Sequence, residues 1–215
     1  MYTKDQLNDL YERIVKTIDI SNEMFDVAEK EYTDLGNWID QATPQYKILI
    51  YSQGSFALGT VIKPIEDSED YDLDLVCEFE QQYGLSARAL KCEVVKPLLE
   101  RYKKTKSDIE NKRRCWHVEY EDIPNFHMDI IPAVNRRSHI DITDHNEETD
   151  TYDYIGSNPL GYIEWFKNKK AERRKILLEN YCLEHSATLK CSADIDEIKE
   201  YHLKTCLLYT SDAAD

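Results

Sequence analysis

The sequence predicts an α+β fold, on three observations. Apolar residues recur at helical spacing through residues 3–31. Residues 71–79, YDLDLVCEF, alternate with a period of two, and two further strand-like runs, 113–120 and 125–132, flank a turn. Helices are therefore expected around a sheet rather than in strict alternation with parallel strands.

The first helix rests on Leu7, Leu10, Tyr11, Ile14, Ile18, Ile20, Met24, Phe25 and Ala28, with an interruption expected near Asp19–Ser21. Thr3 and Gln6 have the spacing of a capping box. A second helix is expected over 33–43, ending before Pro44. The run from Lys47 to Tyr51 reads as a buried strand, and Phe56–Thr60 after it as a short helical turn. Residues 61–70 read as an acidic loop. In the next strand Tyr71, Leu73, Leu75, Cys77 and Phe79 share one face, and Asp72, Asp74, Val76 and Glu78 the other. A helix over 86–104 carries Leu90, Val94, Val95, Leu98 and Leu99, with a bend expected at Pro97. Glu121–Asn125 is turn-like and implies an antiparallel hairpin. Residues 135–156 are polar and read as a long surface loop. Ser157 or Asn158 can cap a helix with Pro159 at its first position, and another helical segment is expected at 171–185.

Of 215 residues, 27 are basic and 42 acidic, a formal charge of -15. That balance argues against broad binding to duplex nucleic acid, which requires Lys and Arg against the phosphates. It leaves nucleotide substrates open, because a divalent cation can bridge carboxylates to phosphate. No run has the length of a membrane span and no signal pattern opens the chain, so the expectation is a cytoplasmic protein without membrane partners. The six cysteines form no Cys-x-x-Cys pair, and free thiols are expected.

Asp72 and Asp74, two apart on a strand, project from one face. Adjacent carboxylates repel unless a cation lies between them, and carboxylate oxygens are the preferred ligands of Mg²⁺. Asp129, in the strand-like run FHMDII, completes a trio if the two strands are neighbours. Three carboxylates suit two metal ions, with in-line displacement at an α-phosphorus as the chemistry. Mg²⁺ is the expected ion, with Mn²⁺ the alternative. Gly54-Ser55, between a strand and a helical turn, offers close backbone approach and a hydroxyl to a triphosphate. Each piece alone has a bland counterpart: a solvated strand face, a plain turn, a surface acid. Their order and spacing carry the inference. A calcium loop starting at Asp70 is excluded, because its sixth position needs Gly and holds Leu75.

Those residues resemble a known family. Gly54-Ser55 ahead of Asp72-Leu-Asp74, with a lone Asp on a later strand, resembles the DNA polymerase β-like nucleotidyltransferases. The stretches QGSFALGTVIKP, DYDLDLV, FHMDIIPA and SNPLGYIEWF resemble the bacterial cGAS/DncV-like nucleotidyltransferases, or second-messenger oligonucleotide or dinucleotide synthetases. The resemblance implies a mixed sheet flanked by helices, with the long N-terminal helix bracing a C-terminal helical lobe. It implies Mg²⁺-dependent joining of nucleoside triphosphates into a cyclic di- or trinucleotide that triggers anti-phage defence. Carried over, Asp72 and Asp74 bind both metals, Asp129 binds the catalytic one, and Gly54 and Ser55 hold the donor triphosphate. The alternatives are transfer of a nucleotide to a protein or tRNA acceptor, and an inactive nucleotide-binding module.

Residues 1–156 are accordingly expected to form the nucleotidyltransferase core, and 157–205 the beginning of the helical lobe. The final residues, CLLYTSDAAD over 206–215, resemble the translation of a sequencing-library adapter. The native sequence is therefore expected to stop near Thr205 with the lobe incomplete. The basic run Lys167, Lys169, Lys170, Arg173, Arg174 and Lys175 could face a triphosphate or a regulatory partner, but an exposed helix is the favoured reading. Lys103 to Arg114 is read the same way. His117, His127, His139 and His145 lack a metal-ligand spacing and are assigned structural or surface roles.

Overall fold

The computed structural model describes residues 3–66, 69–80, 84–102, 109–120 and 122–184. The expected adapter-derived tail lies outside them. The chain divides into two compact units. One joins Met1–Asp19 to the stretch from Ile163 onward, and the other is Ile20–Tyr162.

In the first unit, α1 (Lys4–Ile18) begins at the expected capping box, with Thr3 and Gln6 each bonding the other's backbone N–H. Its C-cap, Asp19, is extended, so the helix stops where the sequence suggested an interruption.

The second unit opens with α2 (Asn22–Ala42), capped by the Ser21 hydroxyl, which accepts from the Met24 N–H at 3.2 Å. The expected start of a new helix at 33 is not seen; α2 runs through, because Ala28, Leu35 and Ile39 form one buried stripe that carries the helix past Gly36. Then follow β1 (Ile48–Ser52), α3 (Gly54–Leu58), β2 (Tyr71–Phe79), a π-helical turn over Ala89–Val95 and α4 (Lys96–Arg101). The π-helical turn runs directly into α4, and Pro97 stands at the change from one helical form to the other, inside the helical stretch where the sequence placed a bend. The remaining strands are β3 (Glu110–Asn111), β4 (Trp116–Glu119), β5 (Phe126–Asn135), β6 (Ile140–Asn146) and β7 (Thr151–Ser157). α5 (Pro159–Glu184) starts at this unit's end, where Asn158 Oδ1 accepts from the Gly161 N–H. It is one continuous helix, without the separate segment expected at 171.

The sheet is mixed. Its order is β1-β2-β5-β4-β3, with β6 and β7 continuing from the far half of β5. β2 and β5 are parallel, and the other pairs are antiparallel. The hairpin expected across Glu121–Asn125 is present as β4–β5. The loop expected over 135–156 is instead the β6–β7 hairpin. Ile140 and Ile142 are buried, and pairing on β5 satisfies the backbone of an otherwise polar run.

One face of β2 packs Leu73, Leu75, Cys77 and Phe79 against α2, the π-helical turn and α4, in a core with Leu90, Val95 and Leu99. The opposite face carries Asp72 and Asp74 at its start. Farther along, Val76 joins Ile131, Ala133, Ile140 and Ile142 in a second cluster. The strict alternation of the sequence therefore holds only to Asp74; beyond it both faces are buried. Glu78 is buried there too, accepting from Tyr51 Oη and Asn135 Nδ2. Leu75 is wholly enclosed. Leu75→Ala is expected to cost about 2–5 kcal/mol, read as a lower urea midpoint at unchanged slope. No helix among the described residues is long and apolar enough to cross a membrane.

Candidate functional site

The parallel register of β2 and β5 sets Asp74 directly beside Asp129, and Asp72 beside His127. Register partners in a parallel pair point to the same face, so all three carboxylates project from one side of the sheet at its open end. The electrostatics agree with that crowding. Burial, then the charges of Asp72 and Asp129, push the Asp74 carboxyl from 3.8 up to about 6. A cation among these oxygens would remove the repulsion, and an all-carboxylate donor set is the chemistry Mg²⁺ prefers. The residues present therefore fit a divalent metal.

Gly54 reaches this cluster from the end of β1. The Gln53 N–H donates to the Asp74 carbonyl at 2.9 Å, tying the turn to β2. Gly54 adopts φ +60°, and a Cβ there would stand 2.0 Å from Asp74 Oδ2. Only glycine allows that approach. Ser55 follows in the first turn of α3, where backbone N–H groups lack intrahelical partners. The Ser55 carbonyl accepts from the Thr60 N–H at 2.9 Å, closing the turn. Every site residue expected from the sequence thus falls in one neighbourhood.

The sequence reading passed over Asp129's other partners. His117 on β4 lies opposite Asp129, with Nδ1 2.9 Å from Asp129 Oδ1. His127 shares Asp129's face two positions earlier, and the His117 and His127 rings are 4.3 Å apart between centroids. The fold sets both rings against the third carboxylate, an arrangement that their spacing along the chain did not show. The period of two already placed His127 beside Asp129; His117 needed the β4–β5 register. Cys115 also hydrogen-bonds Asp129, and burial followed by that carboxylate's charge pushes its thiol up to about 12.

Lys91 secures this side of the site. It is fully buried in the π-helical turn, and its Nζ donates to the Lys112 carbonyl and, at 3.0 Å, to the Arg113 carbonyl. Trp116 Nε1 donates back to the Lys91 carbonyl at 3.0 Å. These bonds fix the turn leading into β4 and hence the position of His117. Burial draws the Lys91 ammonium down to about 8.

Elsewhere, His145 Nε2 lies 3.2 Å from Asp150 Oδ1, and His139 Nε2 lies 3.4 Å from Asp141 Oδ1. Arg113 and Arg114 both engage Asp144 rather than the carboxylate trio. Lys167, Lys169 and Arg173 are exposed on α5, as the favoured reading had it; the side chains of Arg174 and Lys175 lie outside the description.

The family model described as "Second Messenger Oligonucleotide or Dinucleotide Synthetase domain" matches residues 1–170. A c-di-GMP synthase of Roseivirga ehrenbergii is 28% identical over 212 residues, covering 94% of this chain and 51% of that protein. The cyclic dinucleotide synthase CdnG of Bradyrhizobium diazoefficiens is 25% identical over 155 residues, covering 69% of this chain and 36% of that protein. The solved structure of the B. diazoefficiens CD-NTase CdnG in complex with GTP shares the fold. Its TM-score is 0.62 at 23% identity, covering 75% of this chain and 46% of that one. This chain thus spans about half, or less, of the length of these relatives.

Proposed function

Because the chain belongs to the Second Messenger Oligonucleotide or Dinucleotide Synthetase family, we propose that it carries the metal centre of a synthase making a cyclic di- or trinucleotide from nucleoside triphosphates. The observation that carries this reading is the register of Asp74 on Asp129, with Asp72 on the same face and Gly54 against Asp74. Asp72 and Asp74 would hold the Mg²⁺ ions together with Asp129. Bound there, the ions would supply charge neutralisation for the triphosphate and acidify the 3′-hydroxyl.

The residues of the chain do the rest. Gly54 keeps the backbone low enough for a donor phosphate to reach the carboxylate cluster. Ser55 offers its hydroxyl and N–H to the same triphosphate. The cluster fixes the α-phosphorus in line between the incoming 3′-hydroxyl and the departing pyrophosphate. Asp129, oriented by His117, helps draw the hydroxyl proton. Residues 1–156 form the nucleotidyltransferase core in this reading, and 157–205 begin the helical lobe. The setting in this reading is the cytoplasm, and the biological outcome that the resemblance implies is anti-phage defence.

The test is incubation of the protein with labelled nucleoside triphosphates and Mg²⁺ or Mn²⁺. A small product resistant to phosphatase, as a closed ring lacking a terminal phosphate must be, is the expected result. Label recovered on protein or RNA would instead assign the transfer to a macromolecular acceptor and overturn the proposal.

A further inference from the structure

Asp129 belongs to a second group of ligands besides the three carboxylates. One ligand atom from each of His117, His127 and Asp129 lies within 4.8 Å of the other two. The two imidazoles are well shielded, with 18% and 17% of their side-chain surface exposed. β4 supplies His117 and β5 supplies His127 and Asp129, so paired strands, not loops, set their spacing.

A hydrogen bond from His117 to Asp129 accounts for one contact in this group. It leaves His127 unexplained. The Nδ1 of His127 is buried and has no hydrogen-bond partner among the described residues; Asp70 Oδ2, 3.5 Å away, makes none. Leaving such an atom unpaired costs about 1–3 kcal/mol. A cation with affinity for imidazole would use a nitrogen of this ring. The donor set also differs in kind from its neighbour. Asp72, Asp74 and Asp129 offer only oxygen, which suits Mg²⁺, whereas two imidazoles and one carboxylate suit Zn²⁺ or Co²⁺. Three protein ligands with water in the fourth position is an established zinc arrangement.

We propose that His117, His127 and Asp129 form a transition-metal site of the zinc type, adjoining the carboxylate trio and sharing Asp129 with it. The site rests on the placement of these residues and not on nucleotidyl transfer. Its occupant takes coordination capacity from Asp129, the carboxylate that the Mg²⁺ reading needs at the attacking hydroxyl. Transition metal in excess over Mg²⁺ therefore acts on the trio through this one residue.

Co²⁺ added to the metal-stripped chain is the test, read by visible absorption, with Zn²⁺ calorimetry alongside. The expected result is one equivalent bound with the intense bands of a four-coordinate ion, its affinity lowered but not lost in millimolar Mg²⁺, because the two sites share Asp129. His117→Gln keeps a donor for Asp129 but removes a good ligand; it and His127→Asn should each weaken binding by about 10-fold or more. Melting curves establish that both variants fold. Asp72→Asn should leave Co²⁺ binding intact. Binding that ignores both histidines, or requires Asp72, would overturn the site, as would no stoichiometric binding. None of these results bears on whether Asp72 and Asp74 support turnover, so this site and the proposed function fail separately.

Discussion

Asp74→Asn is expected to make the metal-free chain more stable while abolishing nucleotidyl transfer. The carboxyl is pushed from 3.8 up to about 6 by burial and by Asp72 and Asp129, so the ionised form is held at a cost. A raised carboxyl pKa means that the folded chain binds this proton more tightly than the unfolded chain does. The favourable contribution is therefore complete below about pH 4 and is lost as pH rises through about 6. The full shift corresponds to about 3 kcal/mol. Solvent reaches the group, and screening reduces the effect to about 1–2 kcal/mol. In EDTA at pH 7.5 the Asn variant should melt a few degrees above the unsubstituted chain; about half of that gap should close by about pH 5, and most of it by about pH 4. Mg²⁺ should reverse the order, because only the intact trio gains from binding it. Turnover should fall by on the order of 10³-fold or more, since metal charge supplies several kcal/mol of transition-state stabilisation. Persistence of turnover in Asp74→Asn would remove Asp74 from the mechanism.

Gly54→Ala is expected to disable the same centre from the other side. Two costs separate cleanly here. The φ of +60° at Gly54 charges any Cβ about 1–2 kcal/mol of backbone strain. The Cβ would also fall 2.0 Å from Asp74 Oδ2, so the carboxylate must swing away. Gly59 supplies the control. Its φ is +69°, and a Cβ there meets nothing within 4 Å. Gly59→Ala should therefore show the strain alone, as a modest fall in melting temperature with turnover largely kept. Gly54→Ala should show a larger fall in melting temperature together with a turnover loss approaching that of Asp74→Asn. Equal activity in the two alanine variants would mean that the approach of Gly54 to Asp74 has no catalytic consequence.

Local signals in the sequence survived folding where a few neighbouring residues decide the outcome. The Thr3–Gln6 box, the Asn158 cap and Pro97 involve backbone groups within one helical turn. The β6–β7 hairpin was lost in a polar stretch because its stabilisation is not local. Ile140 and Ile142 are the only aliphatic anchors of β6, and its ladder bonds to β5 and β7 carry the rest. The break expected between two helices near residue 33 was likewise overruled, by a buried stripe on α2 facing the sheet.

For the candidate site the division runs between period and register. The sequence by itself determined that Asp72 and Asp74 share a face, and that His127 and Asp129 share one, because side chains alternate along any strand. It also offered Gly54 as a point of close backbone approach; that a Cβ there would meet Asp74 was decided by the fold. Which strands lie side by side, and in what register, was decided by the tertiary structure alone, through pairing across more than fifty residues of chain. That pairing set Asp129 on Asp74 and raised the Asp74 carboxyl, while the β4–β5 register brought His117 to Asp129. A one-residue slip of β5 against β2 would turn Asp129 to the opposite face. The buried row of Leu73, Leu75, Met128 and Ile130 holds the strands against it.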